Sequence, residues 1–308
     1  MNPTPSMEDN NHPRQALPIS VVILTYNEEH NIGPAIRSCS WCDDVHVLDS
    51  GSKDRTCEIA ASLGAKVWVN KFQSFGQQRN WAIDNVPCKH PWHFHLDADE
   101  RFTNALVQEM TDQLGPDGTR SRHAAYLVPN RMIFMGKWVR FAGGFPAYQV
   151  RLIRHGKCRF VDFGHGQREQ TTGTIGRMKD AYIHFNFSKG LVEWMTKHNQ
   201  YSNREGAEGM LIRQEKHPIW AELQSDDPMV RRRAMKNLSY FLHGRGLLRF
   251  LDLFFVRGGW RDGKAGFHYS AMIGMYEHWI ELKIAEKESN WRQATDALAE
   301  RLLQEPAQ

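Results

Sequence analysis

The hydrophobic positions fall into two rhythms. From Pro18 to Leu114, short β-branched runs alternate with stretches of helical spacing. Ile19-Ser20-Val21-Val22-Ile23-Leu24 is the near-continuous apolar run of a strand buried on both faces. Val45–Leu48, Ala65–Val69 and Trp92–Leu96 repeat it. Asn27 stands where it can cap a helix carrying Ile32, Ala35, Ile36 and Cys39 on one face. Asp54 is placed to cap a second helix, with Ile59, Ala60 and Leu63 facing in and Gly64 as its stop. Ser74 starts a third through Trp81 and Ala82, and a fourth runs from Thr103 to Leu114. Strands alternating with helices predict a parallel α/β sheet, which binds ligands beyond the carboxyl ends of its strands.

After Gly115 the rhythm changes. Ala125–Phe134 and Gln149–Arg154 read as strands separated by a glycine-rich, aromatic segment. From Ser188 onward the spacing is mostly helical. One long helix carries Leu191, Trp194, Met195, His198 and Tyr201, and another lies around Met229–Leu242. The stretch Arg245–Arg257 is apolar on most sides but shorter than the ~20 residues of a membrane span, and Arg249 and Asp252 interrupt it.

Composition narrows the class. The 308 residues are 41% hydrophobic and 24% charged, which is globular and not disordered. A net charge of +4 is too small to argue for nucleic acid, and a mean hydropathy of −0.57 argues against an integral membrane protein. Five cysteines speak against a disulfide framework and for a reducing, cytoplasmic setting. The single C-x-x-C, Cys39 and Cys42, has no second pair to complete a zinc site. Residues 1–17 lack the apolar core of a signal peptide and read as a disordered tail.

Polar residues gather where the early strands end. Thr25-Tyr26-Asn27-Glu28 follows the first strand, Asp49 to Asp54 the second, and Asp97-Ala98-Asp99-Glu100 the fourth. Asp97 and Asp99, two apart at a strand end, point to one side. Such a pair of hard oxygen ligands suits Mg²⁺ or Mn²⁺ bridging a diphosphate, where the plainer reading is a solvated turn. Asp49 can accept from a base N–H or a ribose hydroxyl, with Gly51 allowing close backbone approach. Neither a G-x-G-x-x-G nor a Walker lysine motif is present.

The segments Ser20–Glu29, Val47–Thr56 and Leu96–Glu100, with Gln78-Arg79-Asn80-Trp81-Ala82 between them, resemble family 2 glycosyltransferases, nearest to the lipopolysaccharide-core type of glucosyltransferase. The motifs cover about a third of the chain, Ile19–Arg101. Val150–Arg154 and His184–Gly190 extend the likeness weakly. The resemblance implies a GT-A fold, a mostly parallel sheet flanked by helices, here with a helical C-terminal extension. It implies inverting transfer of a sugar, a UDP-hexose donor being expected, from a nucleotide-diphospho-sugar to a glycolipid or lipopolysaccharide-type acceptor. By the same resemblance Thr25, Tyr26 and Glu28 would hold the nucleoside, Asp49 the base or ribose, and Arg79 the base or phosphates. Asp97 and Asp99 would form the D-x-D, Asp99 as direct ligand of Mg²⁺ or Mn²⁺, with His184 as a later metal or phosphate contact.

Inversion needs a general base on the acceptor hydroxyl. The branch carries a His-Glu pair where this chain reads Gly164-His165-Gly166-Gln167-Arg168-Glu169, with glycine in place of the glutamate. Glu169 is the first candidate and His165 the second; surface pairing of Glu169 with Arg168 or Lys179 is the alternative.

Four other groups stay open between function and packing. His93 and His95 alternate with Asp97 and Asp99 but sit too far along a strand for one metal, and are expected under a helix. Arg151 and Arg154 fit phosphates or a charged edge strand. Trp138, Phe141, Phe145 and Tyr148 around Gly143-Gly144 fit a sugar platform or loop packing. The basic, aromatic stretch from Arg231 to Leu282 fits contact with the inner face of the cytoplasmic membrane or a helical subdomain with its own core.

The expected division is a catalytic domain over 18–187, with a nucleotide half to 115 and an acceptor half after it, and a helical region over 188–308. Two other functions compete. A sugar nucleotidyltransferase would want a glycine-rich basic loop after the first strand, where Tyr26-Asn27-Glu28-Glu29 stands. A degenerate domain that binds carbohydrate without catalysis draws on the missing His-Glu pair. A processive synthase lacks support, since no Q-x-x-R-W occurs.

Overall fold

A computed structural model describes residues 17–163, 166–215 and 218–304. The expected tail, apart from Leu17, and the candidate base His165 lie outside the described residues. Backbone contacts divide the chain into two units. One holds the residues up to Asn130 with Tyr148–His184; the other holds Arg131–Ala147 with Phe185–Gln308.

The first unit opens with β1 (Ile19–Thr25), α1 (Glu29–Arg37), β2 (Val45–Asp49), α2 (Thr56–Ser62), β3 (Lys66–Val69), α3 (Phe75–Asn85) and β4 (Trp92–Asp97). It continues with β5 (Glu100–Arg101), α4 (Asn104–Leu114), β6 (Ala125–Phe134, whose far end lies in the second unit with β7, Lys137–Trp138) and β8 (Ala147–Arg154). Then come β9 (Cys158–Phe163), β10 (Gly166–Thr171), β11 (Ile175–Arg177) and β12 (Tyr182–His184). The main sheet runs β3-β2-β1-β4-β8-β6-β12-β5. Its β1–β4 part is parallel as expected, while β8 joins β4 antiparallel, so the sheet is mixed.

The apolar runs behave as buried strands. Ile19, Val21 and Ile23 enter one core with Trp92, Phe94 and Leu96, covered by Ile32 and Ala35 of α1 and Leu106 and Met110 of α4. Val22 and Leu48 enter a second core with Ala82 and Val86 at α3. Ser74 and Thr103 cap α3 and α4 as expected, accepting from the Gln77 and Leu106 N–H groups. Asn27 does not cap α1. It adopts a left-handed φ of 51° and spends its side-chain oxygen on the Lys53 N–H.

The opposite ends of the strands are tied by Asp44, which is buried. It accepts from Ser20 Oγ at 2.6 Å, the Lys89 N–H at 2.7 Å and Lys66 Nζ at 2.9 Å, and meets His46 Nε2 at 3.0 Å. Burial alone would raise its pKa, but these donors hold it below the usual carboxylate range.

The second unit is mainly helical: α5 (Gly190–Gln214), α6 (Ile219–Leu223), α7 (Pro228–Ser239), α8 (Arg245–Leu251), a π-helical turn (Asp252–Val256), a 3₁₀ turn (Gly259–Asp262), α9 (Gly263–Ser289) and α10 (Trp291–Gln304). It has cores of its own. Phe134, Val139, Trp194, Ala265 and Met272 form one; Ile212, Tyr240, Ile280 and Ile284 form another. α8 crosses α9 at Gly246 and Gly274, where a Cβ on either would come within 2.8 Å of the other's carbonyl oxygen. Asp262 is buried, and its carboxylate takes the backbone N–H groups of Arg140, Phe141 and Ala142 at 2.9–3.1 Å.

Candidate active site

Strand register brings three sequence-distant residues to one sheet edge. Thr25 pairs with Asp49, and Leu24 with Asp97, so Thr25, Asp49 and Asp97 end three adjacent parallel strands. The loops beyond them are stitched together. The Asn27 N–H donates to Ser52 Oγ at 2.7 Å, Glu28 N–H to Thr56 Oγ1 at 2.8 Å and Glu29 N–H to Asp54 Oδ2 at 3.1 Å. Asp54 therefore serves both loops and not only its own helix.

Asp49 is buried and engaged by its own turn. It accepts from the Gly51 and Ser52 N–H groups and from Ser52 Oγ, the last at 2.5 Å. Gly51 takes a φ of 94°, which a side chain rarely tolerates. Thr25 is buried and its Oγ1 has no hydrogen-bond partner among the described residues, while the Tyr26 ring is 51% exposed. Glu28 stands at the head of α1 and accepts from Asn31 Nδ2 at 2.7 Å.

The two members of the D-x-D differ sharply. Asp97 Oδ1 lies 3.0 Å from Arg79 Nη2, and Oδ2 lies 2.7 Å from Arg151 Nη2. Both arginines are buried, while the Asp97 side chain keeps 37% of its surface open. Arg151 also meets Glu100 Oε1 at 2.5 Å, and Glu100 Oε2 accepts the Asp97 N–H at 2.9 Å. Burial would raise the Asp97 pKa, but Arg151 and Arg79 hold it well below the usual range. For Glu100 burial outweighs Arg151 and pushes it up to about 7.

Asp99 is free of this arginine network and meets His184 Nε2 at 3.3 Å. Burial lowers the His184 pKa, yet the hydrogen bond to Asp99 and the charges of Asp99, Glu100 and Asp97 lift it to about 9. The proton this shift keeps on His184 lies between Nε2 and Asp99; a divalent cation taking its place would meet a carboxylate oxygen and an imidazole nitrogen, both partly open, a donor pair suited to a borderline metal. Asp97, with both oxygens on guanidinium groups, is not such a donor as it stands.

Sequence reasoning missed this arginine pair. Arg79, expected beside base or phosphates, is buried against Asp97 and the Phe160 ring. Arg151, read as a phosphate contact or an edge charge, is neither: β8 is interior, and the side chain bridges Asp97 and Glu100 with Tyr182 against it. Arg154 likewise turns to the Ser121 carbonyl and the Trp92 ring. The partners lie 18 to 54 residues apart, so only the packing of α3 and β8 against β4 could have revealed them.

Glu169 lies on the β9–β10 hairpin opposite Phe160, the residue whose ring faces Arg79 and His95. Among the described residues it makes no ion pair with Lys179 or with the D-x-D residues. The hairpin grips α3: Asp162 accepts from Ser74 Oγ at 2.7 Å and from the Gly76 N–H at 3.1 Å.

His93 and His95 are buried under α3 as expected, and His93 packs on His155. Among the described residues one trio has metal-ligand proximity: Asp44, His46 and Cys88. It sits at the far ends of the strands. The Trp68 indole N–H donates to His46 Nδ1, which places the ring proton on Nε2, toward Asp44. That imidazole is a hydrogen-bond donor and offers no lone pair to a metal.

In the aromatic segment Trp138 and Phe145 pack edge to face, with Arg131 and Arg140 over the Trp138 ring; Arg177 lies over the Tyr148 ring.

The stretch that carries this strand edge also has relatives among known proteins. The sequence model described as Glycosyl transferase family 2 matches residues 20–178, more than half of the chain. The chain belongs to glycosyl transferase family 2. This transferase has the GT-A architecture: a mixed sheet with flanking helices, followed by a helical C-terminal region. It is 26% identical over 281 residues to the lipopolysaccharide core biosynthesis glycosyltransferase LpsC of Rhizobium meliloti, covering 88% of this chain and 93% of the relative. An uncharacterized glycosyltransferase of Rickettsia bellii is 29% identical, with 65% and 69% covered. Among solved structures, glucosyl-3-phosphoglycerate synthase of Mycobacterium tuberculosis with Mn²⁺, UDP and glucosyl-3-phosphoglycerate is 26% identical, with a TM-score of 0.30. That match covers 37% of this chain and 44% of the synthase. No helix among the described residues is long and apolar enough to cross a membrane.

Proposed function

We propose that this family 2 transferase moves a hexose, with inversion, from a UDP-sugar to a glycolipid or lipopolysaccharide-type acceptor, with Mg²⁺ or Mn²⁺ at Asp99 and His184. The observation that carries the reading is the 3.3 Å approach of His184 Nε2 to Asp99 at the edge where Thr25, Asp49 and Asp97 end their strands. The likeness to LpsC over 88% of the chain supports the acceptor class.

Each residue has a physical task in this reading. Thr25 Oγ1, buried without a hydrogen-bond partner among the described residues, and the open Tyr26 ring offer a donor and a stacking face to the nucleoside. Asp49 holds the Gly51–Ser52 turn and so shapes the backbone that the base or ribose meets. Asp97 acts as a positioning residue: fixed by Arg79 and Arg151, it sets the turn that presents Asp99. A bound divalent cation would neutralise the departing diphosphate. Glu169 is the proposed base for the acceptor hydroxyl, standing one aromatic ring from Arg79.

Purified protein with UDP-sugars and Mn²⁺ tests the reading by release of UDP. Turnover that depends on the cation and on Asp99 supports it. Full activity of Asp99→Ala with chelator present would overturn the cation assignment.

A further inference from the structure

The second unit leaves an apolar face uncovered. Leu247, Leu248 and Leu251 of α8 and Phe255 and Val256 of the π turn form a stripe on its outer side, continued by Trp260. Leu247, Phe255, Val256 and Trp260 are each more than half exposed. Next to them the rings of Phe250, Phe254 and the partly exposed Phe267 pack within 5.5–5.8 Å of one another and extend the apolar surface. Contiguous exposed apolar surface of this kind marks an interaction site, where scattered single residues would not.

Charge around the face selects the partner. Arg249 and Arg257 share one carboxylate oxygen of Asp252, at 2.8 and 3.0 Å, which leaves one positive charge in surplus. Arg261 lies over the Trp260 ring at 5.2 Å, and neither Arg261 nor the exposed Lys264 makes an ion pair among the described residues. The acidic residues here are spent: Asp252 on those two arginines and Asp262 on three backbone N–H groups. A second copy meeting this face through a two-fold axis would set these cations against themselves. A bilayer with anionic headgroups accepts both parts, the apolar stripe at the acyl boundary and the cations among the phosphates.

We propose that the α8–π face of this chain docks on an anionic membrane surface. The inference goes beyond sugar transfer and does not depend on it. Vesicle binding is read without substrate, so a chain that docks but does not transfer, or transfers but does not dock, separates the two readings.

The test is sedimentation of the full chain with phosphatidylcholine vesicles, alone and mixed with phosphatidylglycerol. Expected is partition onto the mixed vesicles that exceeds the neutral ones by roughly tenfold or more and weakens in high salt. Arg261→Gln with Lys264→Gln lowers it on the order of 25-fold, each cation counting about fivefold. Leu247→Ser with Phe255→Ser lowers binding to both vesicles by roughly tenfold or more. Both pairs are exposed, so their thermal midpoints stay near wild type. Should a variant unfold, the emission of Trp260, taken as wild type minus Trp260→Phe, still decides: a blue shift on mixed vesicles supports docking. Equal binding to the two vesicles, unchanged partition of both variants, or no shift of Trp260 would overturn the proposal. So would a vesicle-free dimer that Leu247→Ser with Phe255→Ser dissolves, which assigns the face to a second copy.

Discussion

Arg151 Nη2 lies 2.7 Å from Asp97 Oδ2 and 2.5 Å from Glu100 Oε1, so one buried cation holds both carboxylates that flank Asp99, the proposed cation ligand. Removing it leaves Glu100, fully buried, without its counter-charge. Arg151→Met is expected to cost about 3–5 kcal/mol in urea unfolding. Arg151→Lys recovers only part of that, because an ammonium cannot fork between two acceptors.

Asp99 is the contrasting case. Its contact with His184 is partly exposed and worth at most about 1 kcal/mol. Asp99→Ala should keep the wild-type unfolding midpoint yet lose Mn²⁺ binding, measured by calorimetry, and at least about a hundredfold in turnover.

Glu169→Gln distinguishes chemistry from binding. UDP-sugar affinity is expected to stay, while turnover falls by on the order of a hundredfold or more. Unchanged turnover removes Glu169 from the mechanism.

Burial lowers the His93 pKa to about 4 and holds His95 well below the ordinary histidine value, so the fold keeps both neutral. In the unfolded chain each binds a proton near pH 6.5. Between those values the unfolded state holds more protons, so stability falls as pH drops from about 6.5 toward 4, by about 1.4 kcal/mol per unit for each histidine. Glu100, raised to about 7, acts oppositely, losing stability as pH rises from about 4.5 to 7. Melting temperature against pH checks the sign: His93→Leu should flatten the acid limb relative to wild type.

In the second unit, Asp262→Ala removes three charge-assisted backbone contacts at once. Expected are a loss of about 2–4 kcal/mol and faster hydrogen exchange at the amides of Arg140, Phe141 and Ala142.

The parts legible in the sequence were those written locally. β1, β2 and β4 announce themselves by β-branched runs, and Ser74 and Thr103 are caps whose partners lie three residues on. Asn27 looked like another cap, but its oxygen goes to Lys53, a partner 26 residues away that no local pattern encodes. The β9–β10 hairpin was missed because its second strand carries polar residues such as Gln167, Arg168 and Glu169 with no apolar alternation to mark it. The Arg79–Asp97–Arg151 cluster needs the crossing of α3, β4 and β8 to exist. For Arg245–Val256 the sequence shows apolar residues on most sides; only packing tells Leu253, which is buried, from Leu247 and Phe255, which are not.

Asp44 gives the sheet a fixed end. Strands β1, β2 and β3 and the chain entering β4 all spend a donor on that one buried carboxylate or on Ser20 beside it. A slip of one residue in any of them would strand a charge in the core. If the opposite ends hold the donor as proposed, loops around Tyr26 and Ser52 can be rewritten to suit another sugar nucleotide while the strands beneath keep their pairing. Register is held at the ends of the strands away from the proposed donor site, and this lets the site drift without the register.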